Sequence, residues 1–71
     1  MESKFGMTVE EASRYTSIGR NTLRALVDAG KLPVLRIGRK NIIRTEILIK
    51  FLDLNEGVDL LNTDEAKTVK R

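Results

Sequence analysis

The side chains able to do chemistry in this sequence fall between Arg20 and Arg44. Arg20, Asn21, Thr22 and Arg24 come first, followed by Arg36, Arg39, Lys40 and Arg44. These are hydrogen-bonding and cationic types: arginine matches the edge of guanine, asparagine that of adenine, and hydroxyls and cations hold phosphates. Counting Lys31 as well, the segment carries 7 cations against the single acid Asp28, or 7 − 1 = +6, while the rest of the chain carries 6 − 9 = −3. Charge segregated in this way points to a polyanionic partner on one face, double-stranded DNA first among them. A merely solvated basic face is the plain alternative, but scattered charge would serve solubility equally well.

Other chemistries are not supported. The 71 residues include no cysteine and no histidine, so a disulfide framework, a Cys/His zinc site and a thiol or imidazole catalyst are all excluded. No Gly-rich phosphate loop or nucleophile–base pair is present, and the adjacent acids Glu10 and Glu11 fall where a helix cap needs them. The expectation is a protein without catalysis, cofactor, metal or small-molecule substrate. No signal-like leader opens the chain and no run approaches a membrane span, so a cytoplasmic protein with no membrane partner is expected. One domain is expected, and at about this size it buries only about 60% of the surface its unfolded chain would expose.

The positioning elements follow from periodicity. Thr8-Val9-Glu10-Glu11 has the form of a capping box, and Val9, Ala12 and Tyr15 recur at helical spacing, predicting a first helix over about Val9 to Tyr15. Ala12 is small enough to let a second helix cross closely, as a helix-turn-helix requires. Thr16-Ser17-Ile18-Gly19 reverses the chain while Ile18 stays inside. A second helix then runs from Arg20 to about Ala29, with Leu23, Leu26 and Val27 buried, Gly19 as N-cap and Gly30 as the left-handed residue that ends it. Arg20, Asn21, Thr22 and Arg24 are thereby turned outward.

After Lys31-Leu32-Pro33, the runs Val34 to Ile37 and Asn41 to Arg44 predict a hairpin around Gly38-Arg39-Lys40. Leu35, Ile37 and Ile43 are expected to face inward. Arg36, Arg39, Lys40 and Arg44 are then exposed as a wing over phosphates or the minor groove. Thr45 can cap a third helix, in which Ile47, Leu48, Phe51 and Leu52 share one face. Residues 1–6 read as a loose lead-in from which Phe5 could pack back, 7–61 as the folded domain, and 62–71 as a frayed polar tail. Leu60 and Leu61 either finish the core or form an interface. The fold class is mainly α with a small β-hairpin: a winged helix-turn-helix of three helices plus a two-stranded wing.

The runs Met7-Thr-Val-Glu-Glu-Ala-Ser-Arg-Tyr15, Ile18-Gly-Arg-Asn-Thr-Leu-Arg-Ala-Leu-Val27, Ala29-Gly-Lys-Leu-Pro-Val-Leu-Arg-Ile-Gly-Arg-Lys40 and Ile42-Ile-Arg-Thr-Glu-Ile-Leu-Ile-Lys-Phe-Leu52 resemble the excisionase family of small winged helix-turn-helix proteins, close in fold to MerR-type DNA-binding modules. The resemblance covers about Met7 to Leu54. It implies that the helix from Arg20 enters the major groove and that the hairpin around Gly38-Arg39 is the wing. It further implies a bacterial, nucleoid-associated protein that bends DNA beside a recombination site and promotes excision of a mobile element or prophage by a tyrosine recombinase (integrase). Cooperative self-association on DNA is expected, with Ile42, or Leu60 and Leu61, as contacts between protomers. A small MerR-like transcription regulator is the alternative, and an adaptor that binds a protein through its basic face is a third.

Overall fold

A reciprocal cap starts the first helix in the computed structural model, which describes residues 5–69. Thr8 Oγ1 accepts from the Glu11 amide at 3.2 Å, and Glu11 Oε1 accepts from the Thr8 amide at 3.0 Å. Helix α1 (Val9–Thr16) therefore begins with two otherwise orphaned donors satisfied. Val9 and Ala12 are buried as expected, but Tyr15 is exposed. Two steps of three residues leave it about 120° around the helix from Val9, off the packed stripe. The chain reverses through Ser17, which takes the left-handed conformation (φ 64°). The turn is held by Thr16, whose hydroxyl donates to Ala12 O at 2.7 Å and accepts from the Ile18 amide at 3.2 Å.

Helix α2 (Arg20–Asp28) starts from Gly19 and buries Leu23, Leu26 and Val27. Its end is closed by the Lys31 amide, which donates to Leu26 O at 2.9 Å around a left-handed Gly30 (φ 76°). Leu32, just beyond, is buried in the same core.

The hairpin consists of β2 (Leu35–Ile37) and β3 (Lys40–Arg44), and an additional strand, β1 (Gly6–Thr8), pairs antiparallel with the other side of β3. The sheet thus has three strands in the order β1-β3-β2, and Gly6, assigned to the lead-in, belongs to it. Residues 1–4 of that lead-in lie outside the described residues. Phe5 does not reach the core; its ring is exposed, and its carbonyl accepts from the Thr45 amide at 2.9 Å.

The inward face of the hairpin differs from expectation. Ile43 is fully buried, but Leu35 is exposed and Ile37 is 63% exposed. A three-residue turn would pair Leu35 with Ile43; instead the turn is the two residues Gly38-Arg39, so Ile37 pairs with Lys40 and Leu35 with Ile42. That one-residue shift of register moves Leu35 and Ile37 to the outer face. Ile43 keeps the inner face with its partner Met7.

Helix α3 (Thr45–Leu54) buries Ile47, Leu48 and Phe51, with Arg44 rather than Thr45 at its N-cap position. Beyond it the chain departs from the expected frayed tail. A 3-10 turn at Thr63–Glu65 leads Ala66 and Val69 back into the core. The link is Asn55, 4% exposed, whose Nδ2 donates to Phe51 O at 2.9 Å and Lys67 O at 3.0 Å while its Oδ1 accepts from the Lys67 amide at 2.6 Å. Lys70 and Arg71 lie outside the described residues.

Candidate nucleic-acid interface

With Leu23, Leu26 and Val27 buried, α2 presents Arg20, Asn21 and Arg24 to solvent and leaves Thr22 half-buried. The far half of this helix faces the wing. A cleft of about 250 Å³ lies between them, lined by Arg24 and Asp28 of α2, Glu10 of α1, and Arg39, Lys40 and Asn41 of the hairpin. Three of the sequence-expected cations, Arg24, Arg39 and Lys40, therefore meet around one space. Low-dielectric walls on both sides focus their field into it, which favours an anionic strand there.

Two acids temper that field. Glu10 Oε2 accepts from the Arg24 guanidinium at 2.7 Å, in a pair about half exposed on each side. Glu10 was legible only as a first-turn acid of α1. Its reach to Arg24 spans 14 residues of chain, for which no local spacing gives a signal.

The remaining expected residues are distributed around this centre. Arg36 is exposed on β2 opposite Asn41, hence on the same sheet face as that cleft residue. Arg20 opens α2, at the end away from the cleft. Arg44 stands apart: its guanidinium lies over the Phe5 ring, 5.0 Å from the centroid, and pairs with Glu46. Its Nε is buried and has no hydrogen-bond partner among the described residues.

A second, shallower depression of about 190 Å³ flanks the other half of α2, between Asn21, Thr22 and Ala25 and the loop residues Leu60, Leu61 and Thr63. Leu60 packs against the core, whereas Leu61 is 77% exposed. Ile42 is half-buried and packs over Gly6, so closely that a Cβ on Gly6 would meet Ile42 Cγ2 at 2.7 Å.

Among the described residues, no group of three or more His, Cys, Asp or Glu side chains could hold a metal ion, and no helix is long and apolar enough to cross a membrane.

Two helices joined by a tight turn, the second facing outward with arginine and asparagine, and a basic hairpin beside them define a winged helix-turn-helix. A sequence model of the helix-turn-helix domain family matches residues 7–56, and the chain belongs to that family. Its fold is accordingly that of a DNA-binding helix-turn-helix protein. No curated protein and no solved structure shows a significant match to it.

Proposed function

We propose that this protein is a DNA-bending factor of the excisionase type, which binds beside a recombination site and promotes excision of a mobile element or prophage by a tyrosine recombinase. The observation that carries the reading is the cleft where Arg24 of α2 meets Arg39 and Lys40 of the wing. Helix and hairpin can grip one duplex from there, α2 in the major groove and the wing over the flanking phosphates. What favours an excisionase over other proteins of this fold is the resemblance of Glu10-Glu11-Ala12, of Gly30-Lys31-Leu32-Pro33 and of Arg36-Ile37-Gly38-Arg39 to that family.

A single module covers about 600 to 1,000 Å² of its own surface on DNA, so useful affinity calls for neighbours bound side by side. The outer sheet face, where Leu35, Ile37 and Ile42 stand together, is the surface we assign to that contact. A row of such modules would bend the duplex at a cost of order 1 to 6 kcal/mol for a 20–30 bp site.

The test is recombination of a plasmid carrying both element junctions, with integrase, in the presence and absence of this protein. Excision that depends on the protein supports the reading. Equal excision in both, with a promoter reporter that responds to the protein, identifies a transcription regulator instead. No footprint on any DNA leaves the protein-binding adaptor.

A further inference from the structure

We propose that the loop carrying Leu61 is a second reading element, in which the Leu61 side chain packs on the 5-methyl group of a thymine in the major groove, next to the bases that face Asn21 and Thr22. This rests on the reading of α2 as the helix in that groove, and it adds a contact which none of the cationic residues makes.

Adjacent leucines divide the work. Leu60 is partly buried against the core and anchors the loop, while Leu61 is the most exposed large apolar side chain among the described residues, at 77%. The backbone that carries it is held: the Leu61 amide donates to Asp59 Oδ1 at 3.0 Å and the Asn62 amide to Asp59 O at 3.0 Å. Beyond it the chain is tied down by the buried Ala66 and by the hydrogen bonds of Asn55 to Lys67. An apolar side chain exposed to solvent gains free energy only when something apolar covers it.

Its location indicates what does. Leu61 shares a depression with Asn21, Thr22 and Ala25, on the outward side of α2. The loop is continuous with the readout surface and will be near whatever that surface touches. Phosphates do not suit it, since Phe51 to Ala66 contains no lysine or arginine and includes Asp59, Asp64 and Glu65. Base edges in the major groove offer one strongly apolar feature, the thymine methyl.

The probe is a set of short duplexes enriched from a random pool by the full chain, remade with each thymine in turn replaced by deoxyuridine. That replacement removes the methyl and keeps the hydrogen-bonding edge. At one position uracil is expected to weaken binding about fourfold, equivalent to about 0.8 kcal/mol for one buried methyl. Leu61→Ala should bind the thymine and uracil duplexes equally and lose less affinity on random DNA than on the enriched thymine duplex. The proposal is overturned if the wild type ignores every replacement, or if Leu61→Ala keeps the thymine preference, which would assign the methyl to Thr22 or Ala25. It also fails if Leu61→Ala weakens both duplexes alike and lowers cooperativity, the behaviour of a contact between protomers. If Asn21→Ala and Arg24→Ala bind the enriched duplexes as tightly as the wild type, the underlying reading of α2 falls. Normal losses in those two variants without a uracil effect sink the Leu61 contact alone.

Discussion

Arg24 on α2 donates to Glu10 on α1 across 2.7 Å, so the outward face of the second helix is tied to the first turn of the helix that supports it. Exposed pairs of this kind contribute about 0 to 1 kcal/mol, so Glu10→Gln should leave the melting temperature nearly unchanged. Removing a negative charge from the cleft should tighten binding to a random duplex, read by fluorescence anisotropy at low salt. Weaker random binding would instead make Glu10 a group that orients Arg24 toward phosphate.

Salt dependence should separate the wing tip from the strand end. With about 4 phosphates contacted, log K should fall against log salt with a slope near −3.6, at about −0.9 per phosphate. Arg39→Ala should flatten that slope by about one unit, on all sequences alike. Arg44→Ala should leave it unchanged, since its guanidinium is held by Phe5 and Glu46. A flatter slope for Arg44→Ala would mean that the side chain leaves the ring on binding.

Base reading by α2 should appear as a difference between DNAs. Asn21→Ala is expected to cost about 1 to 3 kcal/mol on an enriched duplex and less on random sequence, as for a lost base-edge contact. Equal losses on both would assign Asn21 to backbone positioning.

Stability should respond to two buried side chains in different ways. Leu26→Ala opens a cavity beneath α2 and should cost about 2 to 5 kcal/mol in urea denaturation. Asn55→Ala leaves backbone groups of Lys67 unpaired and should cost about 1 to 3 kcal/mol. Only the second should selectively accelerate hydrogen exchange at the Lys67 amide, which Asn55 Oδ1 holds. Unchanged exchange there would show that Ala66 and Val69 alone secure the end of the chain.

Helices α1 and α2 were legible in the sequence because local signals agree: the Thr8–Glu11 cap, apolar residues at 23, 26 and 27, and glycines at 19 and 30. The hairpin was legible as a hairpin but not in register, since two or three residues at Gly38 differ little in composition yet exchange the two faces. Strand β1 is only three residues long, so its single alternation about the buried Met7 is too short to stand out in the sequence. The ordered end of the chain depends on Asn55 meeting Lys67 across 12 residues, which a count of apolar side chains does not detect. In the candidate interface, the outward set on α2 followed from the buried stripe. The diversion of Arg44 required knowing that Phe5 lies beside it.

Ile42 is paired on both sides, with Thr8 in β1 and Leu35 in β2. The wing is therefore no swinging arm. It is a cantilever whose fixed end is clamped between two neighbours, with only Gly38-Arg39 beyond the last rung. A load applied at the tip passes through β3 into β1, where Gly6 leaves no slack beneath Ile42. When helix and tip press on the same duplex, a hairpin held in this way has little room to yield at its root.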